Sequence, residues 1–369
     1  MYLTFLAPRK YVQGRNLLCE AGPFISQVGK SPLILWDPRV KSLLGGRLLP
    51  SLEKSGMKIS EVEFKGDSTK AEAARVAQIA KECGTDMIVG VGGGKTLDTA
   101  KAAAHTAGTK MISCPTMAST DSPTSSYTVW YDENGACTGF ESWGVNPDLV
   151  LVDSQAIAEA PVRAFVAGMG DALSTWVEAE VVQTTRGQNL AGGRSTLVAM
   201  AIARLGYDTL MECGVEAKRA VELKTVTPAV EKIIETNILM SGLGFESCGV
   251  ATAHMIANCL PGFPECHGLM HGEEVAFGII SQLCLDENMS TEEAYKIIDF
   301  MIAIGLPVTF AEIGLTGVSR ERLSKIGNVC AGAGSLCHNH PFKVTSENVV
   351  DAMIAADALG QARKKACTK

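Results

Sequence analysis

Three of the six histidines fall in one stretch, Ala253-His-Met-Ile-Ala-Asn-Cys-Leu-Pro-Gly-Phe-Pro-Glu-Cys-His-Gly-Leu-Met-His-Gly-Glu273. His254 lies in a helical pattern, and His267 and His271 stand four apart near the start of another. Two neutral imidazoles and one carboxylate make an open site for Zn²⁺, with coordination positions left for a substrate oxygen. Asp171, in Gly168-Met-Gly-Asp171, is a candidate for that carboxylate. The same residues also read as a helix N-cap and as capping or satisfied core histidines, because they share no short spacing motif. Cys337-His-Asn-His340 holds metal-binding residue types too, but its loop character before Pro341 favours exposed or capping histidines.

A second constellation is Gly90-Val-Gly-Gly-Gly-Lys-Thr96, between an apolar run and a helical pattern. Glycines let a backbone approach a pyrophosphate, and the free N–H groups and dipole of a helix start favour negative charge. The P-loop spacing fails, because its first glycine would fall at Val89. The G-x-G-x-x-G spacing fails at Lys95. The turn is a phosphate binder of another kind or a plain strand-to-helix turn. Asp37 ends an earlier apolar run, where a carboxylate can accept bonds from an adenosine ribose and repel a 2′-phosphate, favouring NAD. Before Pro38 it is equally a turn initiator.

Positioning these groups requires a frame. Pro32 to Asp37, Lys58 to Phe64, Asp86 to Val91, Lys110 to Cys114 and Leu149 to Asp153 are short apolar or alternating runs. They are separated by helical patterns such as Ser68 to Cys83 and Thr96 to Thr106, which predicts βαβ units and a parallel sheet. Tyr127 to Tyr131, followed by Asp132-Glu-Asn-Gly135, predicts a hairpin. After Pro161 strand signals stop. Ser290-x-x-Glu293 is a capping box ahead of Ala294, Ile297, Ile298, Met301 and Ile302, Gly305 ends that helix, and a last helix is predicted over Ser346 to Lys365.

The chain has 369 residues, about two domains' worth, and 46% hydrophobic against 20% charged residues, which suits a packed protein. Lys plus Arg number 33 against 40 Asp plus Glu, a net charge of −7 with no basic stripe, so nucleic acid is not expected as a partner. No apolar stretch reaches the roughly 18 to 20 residues that span a bilayer, and Arg9 and Lys10 interrupt the amino terminus, so neither membrane anchor nor signal peptide is expected. Twelve scattered cysteines without a Cys-x-x-Cys pair predict reduced thiols in a cytoplasmic protein.

Taken together, the motifs resemble the glycerol dehydrogenase branch of the iron-containing alcohol dehydrogenase superfamily over nearly the whole chain. The carriers are Gly90-Val-Gly-Gly-Gly-Lys-Thr-Leu-Asp-Thr-Ala-Lys101, Cys114-Pro-Thr-Met-Ala-Ser-Thr-Asp-Ser-Pro-Thr-Ser-Ser126, Asn146-Pro-Asp-Leu-Val-Leu-Val-Asp153, Val166-Ala-Gly-Met-Gly-Asp-Ala-Leu-Ser-Thr-Trp176 and the two histidine segments, in the family's order.

The resemblance implies a dehydroquinate synthase-like two-domain fold: an α/β Rossmann-like nucleotide-binding domain over 1–160 and an all-α metal-binding domain over 161–369. It implies NAD-dependent oxidation of glycerol to dihydroxyacetone, and of related vicinal diols, with Zn²⁺ on Asp171, His254 and His271. Thr175, where iron-dependent relatives carry a further histidine, speaks for zinc, and His267 is implied to stand behind the ligands or to pack, outside the ligand set. For NAD it implies Asp37 at the adenosine ribose, Gly93, Gly94, Lys95, Thr96 and Asp98 at the pyrophosphate, and Thr116, Ser119, Ser125, Tyr127 and Tyr131 at the nicotinamide. Asp121 is implied to contact the substrate hydroxyl and, with Asp171, to form the catalytic pair. A homo-oligomer, with an octamer as one form, is implied as well. The alternatives are a dehydrogenase of 2-hydroxycarboxylates or another small alcohol, and a dehydroquinate synthase-like lyase. Trp130 to Trp143 and the Cys259 to Cys266 loop match the family loosely and bear on substrate identity.

Overall fold

The computed structural model describes residues 2–132 and 137–367. The chain divides into two compact units, one of Leu6–Phe165 with Arg219–Gly242, the other of Met1–Phe5, Val166–Lys218 and Leu243–Lys369. This is not a single cut at 160: the segment 219–242 returns to the amino-terminal unit.

The first unit is built on strands β1 (Tyr11–Gly14), β2 (Pro32–Trp36), β3 (Ser60–Glu63), β4 (Met87–Gly92) and β5 (Lys110–Pro115), the hairpin strands β6 (Tyr127–Tyr131) and β7 (Cys137–Ser142), and β8 (Leu149–Asp153). Six of them form an all-parallel sheet in the order β1-β8-β5-β4-β2-β3. Every residue of β2, β4 and β8 is buried, as continuous apolar runs require in a sheet covered on both faces. Alternation sorts the side chains: Ile34, Trp36, Val89 and Val91 join one core layer, Leu33, Leu35 and Ile88 the other. Each of these buried side chains contributes about 1.5–3 kcal/mol.

The helices between them are α1 (Gly22–Ile25), α2 (Pro38–Lys54), α3 (Lys70–Cys83) and α4 (Gly94–Ala107). Thr69 caps α3 by accepting the Glu72 N–H, and Gly84 and Gly108 end α3 and α4 at φ 61° and 70°. The chain leaves β2 for β3 on one side and returns through β4 on the other. The order therefore reverses between β2 and β4, the place in open α/β sheets where a crevice forms beyond the carboxyl ends of the strands. Strands β6 and β7 pair antiparallel as the predicted hairpin; of its turn only Asp132 is described, and 133–135 lie outside the described residues.

After β8 the chain is helical: α5 (Ser154–Glu159), α6 (Val162–Thr185), α7 (Leu197–Glu222), α8 (Pro228–Glu235), α9 (Ser241–Cys248), α10 (Thr252–Ala257), α11 (His271–Leu285), α12 (Thr291–Ile304), α13 (Arg320–Cys330) and α14 (Ser346–Cys367). Ser290 caps α12 by accepting the Glu293 N–H and Gly305 ends it at φ 88°, while the Glu293 carboxylate accepts the Tyr207 hydroxyl, so only the Ser290 half of the predicted capping box forms. Helix α8 belongs with the sheet because Glu231 accepts hydrogen bonds from Gln13 Nε2 on β1 (2.6 Å) and Ser154 Oγ on α5 (2.5 Å).

In the helical unit two glycines set how closely elements pass. A Cβ on Gly272 would lie 1.7 Å from the Ala167 carbonyl oxygen, and one on Gly278 would lie 2.2 Å from that of Ala253. Helix α11 therefore meets α6 and α10 backbone to backbone. No described helix is long and apolar enough to cross a membrane.

Candidate active site

These close crossings bring Asp171 of α6, His254 of α10 and His271 of α11 together. One ligand atom from each lies within 4.8 Å of the others. Nε2 of His254 is 3.7 Å from Asp171 Oδ1 and Nε2 of His271 is 3.6 Å from it. Ligands about 2.0–2.2 Å from a tetrahedral ion stand about 3.4 Å apart, so the donor set fits a small divalent cation. Asp171 is buried, and more than a third of the His271 side chain is open.

The other ring nitrogens point to carboxylates. Glu178, fully buried on α6, approaches His254 Nδ1 with Oε2 at 2.5 Å, and its Oε1 accepts the Ala251 and His254 N–H groups at 2.8 and 3.0 Å. Glu274 Oε2 lies 3.7 Å from His271 Nδ1. With its proton on Nδ1, each ring would turn an Nε2 lone pair toward Asp171, the arrangement that metal-binding histidines require. Burial lowers the pKa of His254, but Glu178 and Asp171 outweigh it and hold the group well above the ordinary imidazole value. At His271 burial is outweighed in the same way by Glu274 and Asp171. Three carboxylates around two imidazoles thus favour a positive charge at this point.

Sequence reading missed Glu178 and Glu274. The available signal was spacing: Glu178 stands seven residues, two helical turns, beyond Asp171, and Glu274 stands three beyond His271. His267 lies outside the cluster, exposed, with Nε2 3.0 Å from the Pro261 carbonyl oxygen. The second histidine pair is not a cluster. His338 Nε2 bonds the Gly332 carbonyl and His340 Nε2 bonds Thr252 Oγ1.

In the sheet unit, Asp37 and the glycine turn lie at the carboxyl ends of neighbouring strands: Trp36 stands opposite Val91, and the Asp37 N–H donates to the Val91 carbonyl. Asp37 Oδ1 caps α2 through the Arg39 and Val40 N–H groups, so the turn-initiator reading describes one of its oxygens. Gly93 is the extended N-cap of α4 with no side-chain cap, and a Cβ on Gly94 would meet nothing closer than 3.5 Å. That is an open helix start of the kind that takes an anion. Gly90 has a different task, since a Cβ there would lie 2.8 Å from Ala100 Cβ. Lys95 pairs with Asp67 and sits 4.3 Å over the Tyr131 ring, and Thr96 is buried behind the turn.

Asp98 is engaged by protein groups on both of its oxygens. Its Oδ1 accepts from Ser122 Oγ (2.6 Å) and pairs with Lys101 (2.9 Å), and its Oδ2 accepts the Val129 N–H (2.9 Å). Lys101 in turn donates to the Ser122, Ser125 and Tyr127 carbonyls. This buried pair moulds the loop after β5 and the start of β6, where Ser125 and Tyr127 stand. Thr116 follows β5, with its N–H on the Gly92 carbonyl and its buried Oγ1 lacking a protein partner. Ser119 is buried and Asp121 half-buried in the same loop, where the Asp121 carbonyl accepts the Thr124 N–H. An open helix start beside an orphaned threonine hydroxyl fits a dinucleotide.

A model of iron-containing alcohol dehydrogenases matches residues 8–154. The glycerol dehydrogenase of Thermotoga maritima is 43% identical over 367 residues, 99% of this chain and 99% of that protein. The glycolaldehyde reductase of Halobacterium salinarum is 40% identical over 361 residues, 98% of this chain and 99% of that protein. The crystal structure of glycerol dehydrogenase from Schizosaccharomyces pombe is similar with a TM-score of 0.95 at 35% identity, covering 100% of this chain and 93% of that one.

Proposed function

The chain belongs to the iron-containing alcohol dehydrogenase family, in its glycerol dehydrogenase branch, and from that premise we propose that it oxidises glycerol to dihydroxyacetone, and related vicinal diols, with NAD. The observation that carries the reading is the Asp171, His254 and His271 cluster, with both Nε2 atoms turned to Asp171. These three residues would hold Zn²⁺. Bound there, the ion would supply Lewis acidity toward the alcohol and NAD would supply the hydride acceptor.

The protein's own residues bind and orient. Gly93, Gly94, Lys95 and Thr96 receive the pyrophosphate at the start of α4. Asp37 Oδ2 takes the adenosine ribose and repels a 2′-phosphate. Thr116, Ser119, Ser125, Tyr127 and Tyr131 line the nicotinamide side, with Asp98 acting through the loop it holds. Asp121 contacts the substrate hydroxyl. Residues 6–165 with the returning segment 219–242 form the NAD-binding part, and the other unit forms the metal-binding part. The reading includes a cytoplasmic enzyme, supported by twelve free cysteines, and a homo-oligomer, supported by the family resemblance.

The test is NADH formation by the zinc-loaded protein with glycerol, propane-1,2-diol, ethanol and 2-hydroxybutyrate, before and after chelation, with glycolaldehyde reduction alongside. Chelator-sensitive turnover of both vicinal diols above the other alcohols is expected. Turnover confined to the hydroxy acid or to glycolaldehyde would overturn the polyol assignment.

A further inference from the structure

Between α8 and α9 the chain makes one π-helical turn, Thr236–Met240. A π turn holds one residue more than the α-helical ladder accommodates, and such turns persist where the displaced residue is needed. Here the displaced segment carries Asn237, which is completely buried. Its Nδ2 donates to two carbonyls from distant parts of the sheet unit: that of Ala118 at 3.0 Å, in the loop after β5, and that of Phe165 at 3.1 Å, in the first turn of α6. Both amide hydrogens are committed to oxygens, so the amide has one possible orientation, because turning it over would face oxygen to oxygen. Asn237 Oδ1 then has no protein partner, a cost that a purely apolar filler would avoid.

Five residues on, Gly242 presses on the same loop. A Cβ there would lie 2.8 Å from Thr124 Cβ and 3.2 Å from the Asp121 carbonyl oxygen. Asn237 thus holds the loop at Ala118 while the bare backbone of Gly242 supports it at Asp121 and Thr124. Thr116, Ser119, Asp121 and Ser125 all lie on this short segment. Buried hydrogen bonds to backbone carbonyls fix a loop more rigidly than apolar contacts, because they have direction as well as distance.

We infer that Asn237 is a positioning residue that fixes the loop 116–125 for the nicotinamide and substrate hydroxyl. This role rests on the dehydrogenase reading; the hold on the loop itself does not. The experiment compares the full-length protein with Asn237→Asp, which keeps the shape but faces both carbonyls with oxygen, and with Gly242→Ala, which displaces the loop from its other support. The readouts are amide hydrogen exchange of the peptide 116–126, NADH affinity, KM and kcat, and bound zinc. In both variants exchange of the 116–126 peptide should accelerate, NADH binding and KM for NAD should worsen about tenfold, and zinc content should stay at the level of the unmodified protein. Unchanged exchange, or faster exchange with unchanged NADH affinity, overturns the inference. If Asn237→Asp does not fold, Gly242→Ala decides by the same criteria. An unmodified protein that binds no NADH would instead defeat the dehydrogenase reading, while the exchange comparison still reports on the hold that Asn237 exerts.

Discussion

Glu178 has both carboxylate oxygens committed, one to the His254 ring and one to two backbone N–H groups. It orients the imidazole and supplies negative charge behind it, two effects that raise affinity for a cation in front. Glu178→Gln should therefore weaken zinc binding about 10- to 100-fold, measured by competition with a chromogenic chelator. Unaltered zinc affinity would remove Glu178 from the site. The three clustered residues were legible because histidines are scarce in this sequence and Asp171 lies in a recognisable segment. Glu178 was not, since an acidic residue in a helix is ordinary until the fold shows it buried. Asn237 was hidden for a similar reason: nothing in Thr236-Asn-Ile-Leu-Met240 signals a π turn.

Helix α4 does two things within its first half. Its start is open to an anion, while one turn further in Asp98 and Lys101 form a buried pair that organises the neighbouring loop. Asp98→Asn should cost about 3 kcal/mol of stability, the lower part of the range for breaking a buried pair, because three carbonyls still receive the Lys101 ammonium. Denaturant unfolding measures this, and an undiminished midpoint with weakened NAD binding would return Asp98 to direct cofactor contact. Near the other end of the molecule's sequence, Glu312 anchors α14 through Lys364. Burial raises the Glu312 pKa, but Lys364, the Val308 N–H and the Thr309 hydroxyl outweigh it and lower the group below its ordinary value. Its contribution is complete above the unfolded carboxylate value of about 4.3 and fades as pH falls through the lower folded value. Glu312→Gln should therefore lose Tm at neutral pH and lose progressively less, relative to the unmodified protein, on acidification below that value. The strands were legible where they are buried on both faces, β8 to the residue. Strand β1, Tyr-Val-Gln-Gly, lies half-buried at the sheet edge and has too little apolar character to stand out.

At the scale of the whole chain, all twelve cysteines are free, with Cys19, Cys137 and Cys367 exposed. Burial pushes Cys114 and Cys248 up to about 12, which suppresses the thiolate that alkylating agents require. Brief iodoacetamide treatment of the native protein should modify Cys19, Cys137 and Cys367 first by peptide mass spectrometry, and Cys114 and Cys248 only after unfolding. Early modification of Cys114 would mean that the sheet opens locally at β5. The division of the chain was only partly legible, because the helical pattern of 219–242 does not reveal that Glu231 is bonded to β1 and α5. Only long-range pairing determines which unit such a segment joins.

Strand β1 hydrogen-bonds to β8 alone within the sheet, Tyr11 opposite Val150. At roughly 5–20 residues per second, a ribosome takes on the order of ten seconds to supply that partner after β1 has emerged. Throughout this interval the amino-terminal segment is a nascent strand without its mate, available to chaperones or to the wrong strand of a neighbouring chain. Biosynthesis, rather than the finished enzyme, is where changes in the first fourteen residues should have their largest effect on yield.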